Sequence, residues 1–322
     1  MLQPPTPEWE SPIAPINGPH TLSLPGQVWH QLDRMQLTVN KTLRGTGVGN
    51  RPSVRRRPDM DFREHRKYIP GDDMRFVDWR ASGRHEQVFL KQGEQPKETL
   101  TYILIDTSAS MAWGEPGKHL TALALAAVIG YLTLTNGDRL VVYPLTAPNV
   151  EGQPLKAISS LGTISGKGQF PTLLHYLQNI PFSGQIDLGP AVKQFKNRVH
   201  RGGLTVLISD LIGVTDLEET LSTIPIPTWD VLLFHLLHPE ELAPNLQGNF
   251  VLQDVETRAT KNYDINKKAI QGYTKHLENW LDQIELTCIQ NHTLYTLIQS
   301  NWKLDREIIP HLRSMNIIQP NT

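Results

Sequence analysis

Two apolar runs that each end in an aspartate constrain this chain more than any other feature of its sequence. The first covers residues 99–105 and is followed by Asp106, and the second covers residues 204–208 and is followed by Ser209 and Asp210. Such runs are typical of strands that are covered on both faces of a sheet. We therefore expect both carboxylates at one edge of the sheet, where open α/β sheets bind ligands.

The alternation of apolar segments predicts an α/β fold with a doubly wound, mostly parallel sheet and helices on both faces. An amino-terminal extension is expected to pack against it. The predicted domains are a proline-rich arm at 1–26, an amino-terminal segment at 27–97, and an α/β domain with a helical tail at 98–318. The predicted strands and helices are strands at 99–105, 138–144, 204–208, 229–236 and 250–256, and helices at 27–34, 118–135, 168–180, 187–199, 266–283 and 305–314.

Composition excludes several classes of protein. The chain has 322 residues and a formal net charge of −1, so no general attraction to nucleic acid or anionic membrane is expected. Its single cysteine, Cys288, cannot form an internal disulfide, which favours a reducing, cytoplasmic location. The apolar run at 120–134 is shorter than the roughly 20 residues that a spanning helix needs, so we expect a buried helix and no membrane insertion.

A candidate metal site follows the first strand. Asp106, Ser108 and Ser110 form an Asp-x-Ser-x-Ser motif, which places one carboxylate and two hydroxyls on a single loop. Hard oxygen ligands of this kind suit Mg²⁺ or Mn²⁺, and Asp210 would add a second carboxylate. The motif resembles the metal-ion-dependent adhesion site of von Willebrand factor A domains. The structural alternative is a strand-to-helix turn whose hydroxyls cap the backbone.

The resemblance to that adhesion site is incomplete at one position. Such sites also use a threonine from a loop between the two strands, and the related sequence Thr-Asp-Leu appears here as Ile186-Asp187-Leu188. Ile186 therefore replaces the expected threonine ligand. Asp187 is either a substitute oxygen ligand or the cap of the helix that follows.

A second motif lies upstream, between residues 66 and 84. Its characteristic residues are Tyr68, Gly71, Asp72, Asp73, Arg75, Asp78, Trp79 and Arg84. These residues resemble the signature of the domain of unknown function 58 family of prokaryotes, with Gly83 and Val77 as departures from the usual residues. The resemblance implies a soluble member of that family, which carries a von Willebrand A-like domain. It also implies an AAA+ ATPase of the MoxR type as partner, with a role in the assembly or maturation of a client protein complex.

The residues of this second motif also have a direct physical interpretation. Acidic and arginine side chains alternate between residues 72 and 84, a pattern that favours paired carboxylates and guanidinium groups. Trp79 is expected to anchor the segment in a core. These features predict a structural clamp, and a partner-contact surface is the alternative.

Two further features have functional and structural interpretations. Residues 51–67 are basic and could contact nucleic acid, although a solvated loop with internal pairing is favoured. His235 and His238 could belong to a metal site, but a strand end with solvent-facing histidines is the preferred interpretation.

The combined features predict a binding module without enzymatic activity, in which Mg²⁺ is completed by an acidic side chain of a partner. The sequence contains no phosphate-binding Gly-x-x-x-x-Gly-Lys-Ser/Thr loop. Ser108 stands where aspartyl phosphatases have a second aspartate. The alternative is a metal-dependent hydrolase that uses the Asp106 loop to activate water.

Overall fold

The structure is a computed structural model of the full chain. It describes residues 18–22, 25–38, 61–70, 74, 77–84, 87–94, 99–146, 160–224, 228–255 and 259–321. The chain divides into two compact units, the larger made of residues 1–45 and 99–322 and the smaller of residues 46–98. Most of the predicted proline-rich arm lies outside the described residues.

Within the described ranges, helices and strands fall close to the predicted positions. The helices are α1 (Gly26–Leu32), α2 (Trp79–Ser82), α3 (Lys118–Thr135), α4 (Phe170–Gln178), α5 (Leu188–Arg198), α6 (Leu217–Ser222), α7 (Pro239–Leu242), α8 (Lys267–Gln290) and α9 (Ile309–Ser314). The strands are β1 (Met35–Leu37), β2 (Asp61–Lys67), β3 (Phe89–Glu94), β4 (Leu100–Asp106), β5 (Arg139–Leu145), β6 (Leu161–Ser165), β7 (Leu204–Ser209), β8 (Asp230–Leu237), β9 (Gly248–Gln253), β10 (Thr260–Ile265), β11 (Thr293–Gln299) and β12 (Ile318–Pro320).

A six-stranded sheet forms the centre of the larger unit, in the order β11-β8-β7-β4-β5-β6. Neighbouring strands are parallel, except that β6 runs antiparallel to β5 at one edge. Strands β4 and β7 are buried along their whole length, as their continuous apolar sequences predict. The predicted α/β fold with a mostly parallel sheet is confirmed.

Two apolar clusters cover the sheet. Because side chains alternate along a strand, Ile103 and Ile105 of β4 lie in one cluster and Tyr102 and Leu104 in the other. Helices α3 and α4 supply the first cluster, and α5, α6 and α8 supply the second. The helices therefore cover both faces, and α3 is buried along nearly its whole length.

The amino-terminal segment 26–37 packs on the first of these clusters, as expected of the extension. Val28 and Leu32 of α1 are fully buried there. Strand β1 pairs antiparallel with β12, which ties the two ends of the larger unit together. His20, inside the predicted arm, is also buried, and its backbone N–H donates to the carbonyl of Gln178 at 2.8 Å.

The structure differs from the predicted elements mainly where strands are partly exposed. The strand predicted at 250–256 does not join the main sheet, because β9 pairs antiparallel with β10 in a separate hairpin. Strands β6 and β11 were not predicted, and both lie at the edges of the sheet. Their side chains are only partly buried, so their sequences lack the continuous apolar signal of β4 and β7.

We predict that Gly203→Ala strongly destabilises the protein. A methyl group at position 203 would lie 2.0 Å from the carbonyl oxygen of Leu100, so β7 could not start beside β4 without a backbone shift. Overpacking of this kind costs roughly 1–3 kcal/mol of unfolding free energy, or more. Urea titration measures this cost. The control is Gly162→Ala, where a methyl group meets nothing within 4 Å, and an equal effect of the two substitutions would contradict the prediction.

Candidate functional site

The Asp106 carboxylate lies at the carboxyl end of β4 and is almost completely buried. Its Oδ1 accepts a hydrogen bond from the backbone N–H of Ser108 at 2.9 Å. Its Oδ2 accepts one from the hydroxyl of Ser209 at 2.5 Å. Ser209 ends the neighbouring strand β7, so the parallel sheet itself holds this carboxylate from the side.

The two serines of the motif stand close together on the same loop. The Oγ atoms of Ser108 and Ser110 are 2.9 Å apart, and both side chains are buried. Ser110 begins a short 3-10 turn that leads towards α3. The loop therefore gathers two hydroxyls beside the Asp106 carboxylate, as the sequence predicts.

Asp210 follows β7, and both of its carboxylate oxygens have partners. Its Oδ1 accepts a hydrogen bond from the backbone N–H of Ile212 at 3.0 Å. Its Oδ2 lies 2.8 Å from the ammonium nitrogen of Lys118, the first residue of α3. Lys118 is fully buried and also lies 2.5 Å from Oε1 of Glu241. We call these three residues the Lys118 cluster.

The electrostatics of this edge reflect burial and mutual repulsion. Burial and, to a smaller extent, repulsion by the nearby Asp210 carboxylate together raise the pKa of Asp106 to about 6. Burial alone would lower the pKa of Lys118, but Asp210 and Glu241 outweigh it, so that pKa lies above its usual value. Lys118 therefore stays charged in the interior.

The ring of His235 contacts the backbone of Asp210. Its Nε2 lies 3.0 Å from the backbone carbonyl oxygen of Asp210, and its Nδ1 lies 2.9 Å from the Tyr295 hydroxyl. Since a carbonyl oxygen can only accept, Nε2 carries the proton and Nδ1 accepts from Tyr295. Burial lowers the pKa of His235 to about 4, which keeps the ring neutral.

The prediction that His235 and His238 face solvent is wrong. His235 is fully buried in β8, and His238 is 6% exposed. His238 caps α7, where its backbone N–H donates to Oε2 of Glu241 at 2.6 Å and its ring packs edge-on against Trp113. This capping arrangement orients Glu241 towards Lys118. Both histidines are thus structural supports of the site.

The loop expected to supply a threonine lies beside the Asp106 loop. Backbone hydrogen bonds join Ser183 to Thr107 and Ala109 to Gly184, each at 2.8 Å. Ile186 packs against the second apolar cluster. Asp187 occupies the N-cap position of α5 and is exposed, but its side chain makes no capping hydrogen bond. The interpretation of Asp187 as a helix cap is therefore not supported.

An apolar pocket of about 260 Å³ opens next to the Lys118 cluster. Two of its lining residues also belong to the site, because Ile212 bonds Asp210 and Glu241 pairs with Lys118. The remaining walls come mainly from β8 and α8, and are Leu237, Tyr273, His276, Leu277 and Trp280. The oxygen-rich edge and the apolar pocket thus adjoin each other.

The residues of the second motif belong to the smaller unit, where β2 pairs antiparallel with β3. Asp78 caps α2 by accepting hydrogen bonds from the backbone N–H groups of Arg80 and Ala81. Tyr68 is half-buried and Arg84 is exposed. Gly71, Asp72, Asp73 and Arg75 lie outside the described residues, as do the first ten residues of the basic segment 51–67.

The prediction that Trp79 anchors a core is wrong. Its side chain is 65% exposed, because Trp79 is the first residue of a helix of only four residues, α2, none of which is buried. Among the residues of this unit whose burial the structure describes, the buried apolar side chains are those of Val77 and Leu90, which also form a backbone bridge.

We therefore predict that Trp79→Ala lowers the free energy of unfolding by less than about 1 kcal/mol, as is usual for exposed positions. The matched control is Leu90→Ala in the same unit, where deletion of a buried side chain costs roughly 2–5 kcal/mol. Urea titration of both variants provides the test. A loss in Trp79→Ala as large as that in Leu90→Ala would contradict the exposed position.

We also predict a pH dependence of stability that depends on His235. An unfolded histidine titrates near pH 6.5 and the folded one near 4, so stability is complete above pH 6.5 and falls as pH drops towards 4. The expected loss is on the order of 3 kcal/mol. His235→Gln keeps a donor and an acceptor but cannot titrate, so its melting temperature should fall less on acidification. His276→Gln, at an exposed histidine, should behave as the wild type does, and identical pH profiles of all three proteins would contradict the assignment.

The sequence predicts that Asp106, Ser108, Ser110 and Asp210 lie at one edge of the sheet, as the structure shows, but it did not single out Lys118 and Glu241. One feature of the sequence could have indicated a role for Lys118: it is a lone cation at the start of a long, mostly apolar helix. Among the described residues, no group of three or more His, Cys, Asp or Glu side chains is placed to hold a metal ion. A metal ion here would therefore rely on serine hydroxyls as well as carboxylates.

The fold and this edge define an α/β protein in which carboxylates and serine hydroxyls gather at the carboxyl ends of two central strands. A family profile described as "Protein of unknown function DUF58" matches residues 64–279. The chain belongs to this family, and the family resemblance drawn from the second motif is confirmed.

Curated relatives come from mycobacteria. An uncharacterized protein of Mycobacterium tuberculosis, Rv1480, is 27% identical over 240 residues, which cover 73% of each chain. An uncharacterized protein of Mycobacterium avium is 28% identical over 114 residues, which cover 34% of this chain and 67% of that protein.

Solved structures show weaker likeness. The conserved hypothetical protein BatB from Bacteroides thetaiotaomicron aligns with a TM-score of 0.38 and 12% identity, over 67% of this chain and 98% of that chain. An aerotolerance-related membrane protein from Bacteroides fragilis aligns with a TM-score of 0.40 and 12% identity, over 68% and 98% of the two chains.

One helix in the described part of the chain, α3, is long and apolar enough to cross a membrane by length and composition. Of this helix, 83% is buried inside the fold. Its position between the sheet and the amino-terminal segment accounts for its apolar composition.

Proposed function

We propose that this edge of the sheet is a divalent-metal site through which the protein binds a partner, without catalysing a reaction. The observation that carries the proposal is the convergence of the Asp106 carboxylate with the paired hydroxyls of Ser108 and Ser110. These oxygens suit Mg²⁺ or Mn²⁺, which would retain an open position for a carboxylate of the partner.

The charge of the site supports a divalent cation. Asp106, Asp210 and Glu241 carry three negative charges at pH 7.5, since the pKa of Asp106 is about 6. Lys118 supplies one positive charge. Two negative charges are thus left uncompensated in a buried setting, where unpaired charge is costly. One divalent cation would neutralise them.

The pocket beside the site supports a protein as the ligand. A partner that placed an acidic side chain on the metal would bring its neighbouring residues to the apolar walls formed by Tyr273, Leu277 and Trp280. Protein interfaces combine apolar and polar area in this way and are enriched in aromatic residues such as Tyr and Trp.

The choice of partner in this proposal is based on the family resemblance. We infer that the chain is a cytoplasmic adaptor for an AAA+ ATPase of the MoxR type, and that the pair acts on a client protein during complex assembly or maturation. The adaptor would contribute a metal site that binds an acidic side chain, and the ATPase would bind and hydrolyse ATP. The sequence contains no phosphate-binding loop of its own.

A metal-dependent hydrolase is the less favoured alternative. The hydroxyls of Ser108 and Ser110 bond each other, whereas a serine nucleophile needs a neighbouring base. His235, the buried histidine nearest to Asp210 in the described residues, is fully engaged by Asp210 and Tyr295. The geometry therefore favours binding.

The first test is calorimetric titration of the purified protein with Mg²⁺ and Mn²⁺. Asp106→Ala should abolish a site that the wild type shows, because it removes the central carboxylate. Asp282→Asn, at an exposed acid on α8, serves as the charge-matched control and should bind as the wild type does. Equal heats for the wild type and Asp106→Ala would refute metal binding at this loop.

The second test separates an adaptor from an enzyme. A pull-down with an AAA+ ATPase encoded beside this chain should show a complex that EDTA and Asp106→Ala both weaken. A parallel panel of phosphoester, ester and peptide substrates should show no turnover. Metal-dependent hydrolysis that disappears in Asp106→Ala, without any association with the ATPase, would establish the hydrolase instead.

A further inference from the structure

Lys118 stands inside the oxygen-rich edge, where its ammonium lies 2.8 Å from Asp210 and 2.5 Å from Glu241. The side chain is fully buried, and the nitrogen lies 5.9 Å from the centre of the Trp113 ring. A cation is thus already built into the site, supplied by the chain itself.

The position of this lysine is unfavourable without its two partners. Lys118 is the first residue of α3, and the amino terminus of a helix carries a partial positive charge that repels cations. Burial of an ammonium is also costly unless it is paired. Asp210 and Glu241 supply the negative charge that offsets both costs, so the three side chains act as one ionic unit.

The two aspartates consequently have different surroundings. Asp210 has both oxygens engaged, one by the Ile212 N–H and the other by Lys118. Asp106 receives hydrogen bonds only from neutral donors, Ser108 and Ser209. A bound metal ion would therefore find an uncommitted negative charge on Asp106 but not on Asp210.

We propose that Lys118 is a permanent internal cation of this site, which withholds Asp210 from the metal and leaves Asp106, Ser108 and Ser110 as the protein ligands. This inference rests on the proposed function and refines it, because it divides the roles of the two aspartates. Asp210 is the counterion of Lys118, and Lys118 limits the affinity of the site for Mg²⁺.

The first experiment compares two substitutions that remove the same charge. Asp106→Asn and Asp210→Asn each remove one negative charge from the same edge of the sheet, and each keeps the size of the side chain. In titrations with Mg²⁺ at pH 7.5, Asp106→Asn should lose binding by tenfold or more, whereas Asp210→Asn should change it by about threefold or less. Equal losses in the two variants would overturn the division of roles and would leave the proposed function standing.

The second experiment removes the internal cation at constant net charge. The double variant Lys118→Met with Glu241→Gln removes one positive and one negative charge, so Asp106 and Asp210 alone keep the total at −2. Because Asp210 is released, the double variant should bind Mg²⁺ about tenfold more tightly than the wild type. Unchanged or weaker binding would overturn the inference, since net charge alone would then set the affinity.

A metal-free measurement keeps the test independent of the proposed function. In EDTA, Asp210→Asn should lower the melting temperature more than Asp106→Asn, because Asp210, unlike Asp106, neutralises a buried lysine. Equal melting temperatures would overturn the inference. Binding of Mg²⁺ by the double variant but not by the wild type would support the inference and refute the proposed function, and no binding in any variant would refute both.

Discussion

The larger unit depends on how charge is buried at the carboxyl edge of its sheet. Strands β4 and β7 are buried throughout, yet a carboxylate lies in the interior at the end of each, and the ammonium of Lys118 on α3 pairs with one of them. Breaking a buried pair leaves an uncompensated charge that is far more costly than the net value of the pair. The packing of α3 against the sheet and the positions of Asp210 and Glu241 are therefore linked.

The site is assembled from several separate segments, and backbone groups set most of its geometry. Asp106 and Asp210 each accept a hydrogen bond from a backbone N–H two residues further along the chain, which turns the strand end into a loop. The capping of α7 by His238 directs Glu241, and a neutral His235 holds the Asp210 carbonyl. Rigid support of this kind is what a preorganised ligand site requires.

Much of the fold could be predicted because its central elements carry strong local signals. Helix α3 was predicted with its observed bounds, since it contains a long, mostly apolar run and its ends are marked by glycines. Strands β6 and β11 could not be predicted, because edge strands are only partly buried and their sequences do not need to be apolar. The exposure of Trp79 also escaped prediction, since a large aromatic side chain is usually read as a core residue.

The sequence alone determined the α/β class, the family, and the meeting of Asp106 with Ser108 and Ser110, because these depend on strand periodicity and on a motif within one loop. Only the tertiary structure decided which charges share the edge. Lys118 pairs with Asp210 and Glu241, which are 92 and 123 residues away in the sequence. Local sequence patterns do not predict contacts over such separations. Charge pairing between distant segments follows from the packing of α3 and α7 on the sheet, and so it becomes visible only when the chain is folded.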